Sequence, residues 1–196
     1  MELDGPPSAR LERCIAGGGV AVFPADTVYG LACDPHSASA VERLYALKGR
    51  AADKPAAIMV FSVAALPPLG PRTTRAAQAL LPGALTLLVE DPEQRFPLAG
   101  GGTTLGLRVP DVPLLANVSV PLLQTSANLA GGADSRRLAD VPAAIRDGAD
   151  LVIDGGELPG MPSTVVDLTR YEHDGVWRVV REGAVGSATL SAALGH

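Results

Sequence analysis

The segment from Val20 to Pro55, VAVFPADTVYGLACDPHSASAVERLYALKGRAADKP, decides how the chain is read. Its apolar run, Val20 to Phe23, reads as a buried strand and ends at Pro24, which has no N–H to give to a ladder. A polar, turn-prone stretch follows, Asp26-Thr27-Val28-Tyr29-Gly30, of the kind that presents side chains to a ligand. Ser39-Ala40-Val41-Glu42 has the spacing of a capping box, so a helix is predicted to begin there. Val41, Leu44, Tyr45 and Lys48 then share one face, and Gly49 stops the helix. Lys48, Arg50 and Lys54 bring three cations within seven residues across that helix end. In a solvated last turn they would only complement the helix dipole, worth roughly a few tenths of a kcal/mol. Because Gly49 breaks the helix, Arg50 projects from a turn, where its planar fork suits phosphate oxygens.

The rest of the composition sets bounds on this reading. At 196 residues the chain suits one domain, with a core from about residue 10 to 185, a short N-terminal leader over 1–9 and a C-terminal tail. Mean hydropathy is positive, but no apolar run is long enough to span a bilayer. The opening MELDGPPSAR has neither a basic start nor an apolar core, so no signal peptide is expected. Two cysteines, Cys14 and Cys33, without CxxC spacing, read as reduced, packed thiols of a cytoplasmic protein. His36, His173 and His196 are scattered, so no protein-ligated metal is expected. A net charge of −5 argues against non-specific nucleic-acid binding as the main task. It leaves room for a local basic pocket and a small anionic ligand.

Along the chain, helix is predicted over Ala9–Ala16, ending in Gly17-Gly18-Gly19, and a second strand over Ala56–Phe61. An Ala-rich helix over Thr73–Leu81 closes at Pro82-Gly83, before a strand over Leu85–Glu90. The stretch DPEQRFPLAGGGTT reads as a long mobile loop. Strands over Leu105–Val109 and Pro121–Gln124 flank a short helix at Pro113–Val118. LAGGADSRR reads as a flexible loop, and Asp140 as the cap of a helix running to about Asp147. Strands are predicted at Leu151–Asp154, Thr164–Thr169 and Val176–Arg181, with a last helix over Ser187–Leu194. Strands and helices interleave, but the late strands lack long helices between them. The expected class is α/β, a twisted mixed sheet with flanking helices.

The usual nucleotide and hydrolase signatures are missing. There is no GxxxxGK[ST], the glycine runs do not fit GxGxxG, and there is no GxSxG elbow. What remains is a set of dispersed polar groups. Thr125-Ser126-Ala127-Asn128 ends a predicted strand, either as a simple turn or as a ligand edge of the sheet. Ser163-Thr164 has the same two readings. Arg108 interrupts an apolar strand, and an unpaired buried charge there would cost on the order of 3–5 kcal/mol, so its partner matters. Arg181 ends a strand as a rim charge or a phosphate ligand.

Taken in order, these pieces resemble the YrdC-type family of L-threonylcarbamoyladenylate synthases. The resemblance rests on Pro24-Ala25-Asp26-Thr27-Val28-Tyr29-Gly30-Leu31, Lys48-Gly49-Arg50, Lys54-Pro55, Pro82-Gly83-Ala84-Leu85-Thr86, Arg108-Val109-Pro110, Ser126-Ala127-Asn128 and Ser163-Thr164-Val165-Val166-Asp167, and runs from about Gly17 to Gly183. It implies a YrdC-like fold around a large concave pocket, in the single-domain form. It also implies a nucleotidyltransferase that condenses L-threonine, bicarbonate and ATP, with Mg²⁺, into threonylcarbamoyl-AMP and pyrophosphate for tRNA modification. The implied partners are a downstream tRNA threonylcarbamoyl transferase and, weakly, tRNA itself, with no membrane. By position, the resemblance implies Arg50, Lys54, Thr104, Ser126, Asn128, Arg136 and Arg181 as ATP contacts. It implies Thr27, Met59, Arg108, Ser126 and Ser163 as threonine contacts, and Lys48 with Arg50 as the catalytic basic pair.

The chemistry asked for is compatible with a site of cations and no triad. Displacing pyrophosphate from the α-phosphorus needs charge stabilisation on the triphosphate rather than a dedicated nucleophile. Two positions depart from the family pattern, Ala25 and Ala84, which stand where threonine and proline are usual. Ala25 removes a hydroxyl beside Asp26 and bears on substrate choice. Two other readings are a carbamoyl-AMP-forming enzyme of the same fold and an RNA-binding module. The acidic balance and the few aromatic side chains count against the second.

Overall fold

The computed structural model describes residues 4–51 and 54–195. The described strands are β1 (Ala21–Pro24), β2 (Tyr29–Cys33), β3 (Ala57–Met59), β4 (Leu85–Glu90), β5 (Thr104–Arg108), β6 (Leu122–Ser126), β7 (Leu151–Val152), β8 (Thr164–Asp167) and β9 (Arg178–Arg181). They form one nine-stranded mixed sheet in the order β7-β1-β2-β6-β3-β5-β4-β8-β9. Pairs β1/β7, β3/β5 and β4/β8 are parallel and the others antiparallel. The helices are α1 (Pro7–Ala16), α2 (Ala38–Lys48), α3 (Pro71–Leu80), α4 (Ala143–Gly148), α5 (Tyr171–Asp174) and α6 (Ser187–Leu194). Among the described residues no helix is long and apolar enough to cross a membrane.

Alternation along the strands divides the apolar side chains between two faces. One face carries the larger core, with Leu31, Ile58, Leu87, Leu107 and Leu123 packed against Leu44 of α2, Ala77 of α3, Ile145 of α4 and Leu190 of α6. Fully burying one such Leu or Ile contributes about 1.5–3 kcal/mol. The other face is covered only in part. There Phe23, Met59 and Leu122 pack against Leu11 and Ile15 of α1 and against Leu115 and Val118. The part of this face that α1 does not reach is concave and open.

α2 follows its expected logic closely. Val41, Leu44, Tyr45 and Lys48 are all buried, and Gly49 ends the helix at φ 59°, a left-handed conformation that suits glycine. The cap is two residues earlier than expected: Ser37, not Ser39, accepts from the Ala40 N–H.

Several expectations are corrected. The leader is shorter, because α1 begins at Pro7 with proline in its first turn; residues 1–3 lie outside the described residues, as does His196. β2 was not foreseen, since Tyr29-Gly30-Leu31-Ala32-Cys33 is buried throughout and shows no alternation. The stretch 91–104 is not structureless. Asp91 is buried, Pro97–Ala99 makes a 3₁₀ turn, and the Ala56 N–H donates to Ala99 O. The segment 129–137 is likewise tied down, with Tyr29 N–H donating to Ser135 O and Ala130 N–H to Lys48 O. Asp140 accepts from the Arg137 N–H and closes a 3₁₀ turn, while α4 starts later, at Ala143. The helix expected at Pro113–Val118 is a single turn, Pro113–Leu115.

Candidate functional site

A cavity of about 330 Å³ opens on the uncovered part of the sheet. Its floor follows from strand register. Gln124 of β6 is level with Ala57 of β3, Ala57 with Gly106 of β5, and Gly106 with Leu88 of β4. Small side chains at Ala57 and Gly106 keep the floor low, so the polar groups around it reach inward.

One end of the cavity is set by the turn after α2. Arg50 donates to Thr125 Oγ1 at 3.0 Å and to Pro55 O at 2.7 Å, with its guanidinium 5.9 Å from the Tyr45 ring centre. Ser126, at the end of β6, and Thr104, at the start of β5, line the same region. Lys48 lies beneath it. Its ammonium donates to Ser126 O (2.5 Å), Asn128 O (3.0 Å) and Asn128 Oδ1 (2.6 Å). Burial, with Arg50 nearby, pushes its pKa down to about 8 against the opposing pull of Asp134.

The other end is set by the turn between β1 and β2. Asp26 projects from it and meets Arg108 at 2.7 Å, with both side chains buried. Arg108 also reaches Thr27 Oγ1 at 3.3 Å, while its Nε is buried with no hydrogen-bond partner among the described residues. Burial pulls the Arg108 pKa down and Asp26 pushes it back up. A buried, half-satisfied guanidinium beside a cavity favours an anionic ligand. Across the floor, Thr86 and Ser163 share a hydrogen bond of 2.9 Å, and Arg181 donates to Ser163 O and Ser163 Oγ at 2.8 and 3.1 Å.

Of the residues singled out in the sequence, Thr27, Arg50, Thr104, Arg108, Ser126, Ser163 and Arg181 line the cavity. The others do not. Met59 is fully buried in the core beneath α1, because it faces Leu122. Arg136 is engaged outside, with Glu157 at 2.8 Å and Leu158 O at 3.2 Å. Lys54 is exposed. Asn128 holds the loop, accepting from Lys48 and Ser126 and donating to Gly132 O. Of the expected catalytic pair, only Arg50 reaches the cavity, since Lys48 points from the buried face of α2 into the end of β6. Arg181, expected among the ATP contacts, lines the cavity against Ser163, with its charge near Arg108.

Sequence reasoning missed Gln124, Thr86 and Asp134, which line the cavity, as does Thr125, expected at a turn or a ligand edge of the sheet. Thr86 stands inside a motif, Pro82-Gly83-Ala84-Leu85-Thr86, whose own residues carry no expected contact. Gln124 could have been found as the one polar residue in the apolar run before Thr125. Asp134 carried no signal, because the loop around it reads as plain turn chemistry.

The chain as a whole has counterparts among known proteins. The Sua5/YciO/YrdC family model, described as "Telomere recombination", matches residues 13–183. The chain belongs to the Sua5/YciO/YrdC family. A family relative from Marinobacter nauticus, named threonylcarbamoyl-AMP synthase, is 31% identical over 172 residues, 82% of this chain and 90% of that protein. One of the same name from Bacillus subtilis is 27% identical across 100% of this chain, which spans 58% of the longer protein. In structure, the chain resembles P. abyssi Sua5 complexed with L-threonine, with a TM-score of 0.83 and 27% identity, over 94% of this chain and 56% of that one. The Sua5/YciO/YrdC architecture is thus the mixed sheet and flanking helices described above.

Proposed function

We propose that this chain is a threonylcarbamoyl-AMP synthase, joining L-threonine, bicarbonate and ATP with release of pyrophosphate. The observation that carries the reading is the cavity's division into two polar ends, Arg50 with Ser126 and Thr104, and Arg108 with Asp26, Thr27 and Ser163. The names of the relatives and the threonine held by P. abyssi Sua5 support the same assignment.

In this reading the Arg108 end takes the amino acid. The guanidinium receives the carboxylate, and the Thr27 and Ser163 hydroxyls bond the polar groups beside it. The Arg50 end takes the nucleotide, with the guanidinium on phosphate oxygens and the hydroxyls of Ser126 and Thr104 alongside. The neutral amine of threonine attacks the carbon of bicarbonate; a C–N bond forms and water leaves. A carbamate oxygen then attacks the α-phosphorus, and the bond to the β-phosphate breaks as pyrophosphate departs. Arg50 stabilises charge that grows on the phosphates in that step. Lys48 acts at one remove, by holding Ser126 and Asn128 in place.

Mg²⁺ belongs with ATP, where it neutralises triphosphate charge. No group of three or more His, Cys, Asp or Glu side chains suited to a metal exists among the described residues. Asp134, the carboxylate lining the cavity, would supply one ligand to an ion carried mainly by phosphates and water. The product would pass to a tRNA threonylcarbamoyl transferase in the cytoplasm, with contact to tRNA itself weak. The test is pyrophosphate release with purified protein, ATP, Mg²⁺ and bicarbonate. It should require threonine and vanish in Arg50→Ala with the circular dichroism unchanged. Release driven by carbamoyl phosphate instead of threonine would assign the chain to the carbamoyl-AMP-forming chemistry.

A further inference from the structure

Gln124 is a neutral polar group at the floor of the cavity that the protein itself leaves without a hydrogen bond. It is 5% exposed and lines the cavity, and its amide has no hydrogen-bond partner among the described residues. Its donor and acceptor face the cavity and are free to bond whatever enters it, since no described residue competes for them.

Register locates the amide between the two ends. Of the floor residues Gln124, Ala57, Gly106 and Leu88, Gln124 alone is polar. Two residues along β6 lies Ser126, at the Arg50 end. Two residues along β5 from Gly106 lies Arg108, at the other. A group that belongs to neither the triphosphate nor the amino-acid carboxylate has to sit between them, where the two substrates are joined.

We propose that Gln124 binds the carbon unit of the reaction, first as bicarbonate and then as the carbamate of threonine. The inference rests on the synthase reading above. Bicarbonate has an O–H donor and anionic oxygens; the carbamate has an N–H donor and anionic oxygens. A side-chain amide has N–H donors and a carbonyl acceptor in one plane, so it pairs with either species. It can therefore keep hold of the carbon while the C–N bond forms and water leaves. Neutrality also matters. A lysine or arginine at this position would hold the carbamate oxygen as an ion pair and blunt its attack on the α-phosphorus, whereas an amide orients it without quenching its charge.

The test compares Gln124→Leu, Gln124→Glu and Gln124→Asn with wild type in buffers stripped of carbon dioxide, varying each substrate in turn. In Gln124→Leu the KM for bicarbonate should rise about tenfold or more, with the KM values for ATP and threonine within about twofold of wild type. Gln124→Glu should be worse, because its carboxylate repels the anion, and Gln124→Asn should recover part of the loss. An unchanged bicarbonate KM in Gln124→Leu overturns the proposal, and so does a joint rise of all three KM values, which marks a structural role. If wild type releases no pyrophosphate with threonine, ATP and bicarbonate, the synthase reading itself falls and takes this proposal with it.

Discussion

The ammonium of Lys48 lies 2.6 Å from Oδ1 of Asn128, a contact that ties the end of α2 to the loop leaving β6. The same nitrogen takes two backbone oxygens, of Ser126 and Asn128, so it serves as a buried strut under the Arg50 end of the cavity. Lys48→Met keeps the apolar stem and leaves those acceptors without their charged donor. The expected loss in a urea melt is about 2–3 kcal/mol. An exposed, dispensable lysine would give a change near zero.

Asp26 and Arg108 form the second fixed point, and their energetics run the other way. The pair itself adds little net stability, since both charges are taken from water. Removing one partner is costly: Asp26→Ala should destabilise the protein by about 3–5 kcal/mol, because Arg108 stays buried with its charge uncompensated. The double variant Asp26→Ala/Arg108→Met should be more stable than Asp26→Ala alone. Additive losses in that double-mutant cycle would rule out the coupling.

Gly106 is where the floor can be raised without harming the fold. Its φ lies outside the left-handed region, and a Cβ there would meet Ala57 Cβ at 3.4 Å, ordinary contact. Gly106→Leu should leave the thermal midpoint within a few degrees, on the order of 1 kcal/mol, while abolishing ATP and threonine binding measured by calorimetry. Gly30 behaves oppositely. A Cβ there would lie 2.7 Å from the Phe23 ring, so Gly30→Ala should cost stability first.

Alkaline stability follows chiefly from three buried groups, and the Tyr29 hydroxyl, also pushed up by burial, adds to the fall above its ordinary value of 10.0. Burial pushes the Cys14 thiol up to about 11 and the Cys33 thiol up to about 12. Above the ordinary thiol value of 9.0 the unfolded chain ionises them while the folded protein does not, so stability falls as pH rises. Lys48 works in the opposite sense. With its pKa near 8 in the fold against an ordinary 10.5, it adds stability as pH rises across that window. Two thiols outweigh one ammonium, and urea melts in reducing buffer should show less stability at pH 10.5 than at pH 9. Cys14→Ala/Cys33→Ala should reverse that sign, and Lys48→Met should steepen the fall.

How far the chain could be read in advance depended on periodicity. α2 was legible because its apolar face repeats at helical spacing and Gly49 marks its end. β4 and α6 were legible for similar reasons, an isolated apolar run and a tail of helix formers. β2 was not, since a strand buried on both faces does not alternate, and its Gly-Leu-Ala-Cys sequence has no strand signature of its own. The loops at 91–104 and 129–137 looked mobile because glycine reports conformational freedom, whereas their order comes from long-range hydrogen bonds to Ala56, Tyr29 and Lys48. The site was legible as a collection of residues and not as a geometry. Nothing local says that Met59 faces α1, that Lys48 lies below the cavity, or that Gln124 faces into it. Those facts belong to strand pairing.

The central claim is that one cavity brings a carbonate-derived carbon, threonine and the α-phosphate of ATP together. Mass spectrometry of the product formed from ¹³C-bicarbonate, threonine and MgATP tests it most directly. The account predicts labelled threonylcarbamoyl-AMP in an amount equal to the pyrophosphate released, with neither formed when threonine is left out. Pyrophosphate without the labelled adduct, or an adduct formed equally well without threonine, would contradict it.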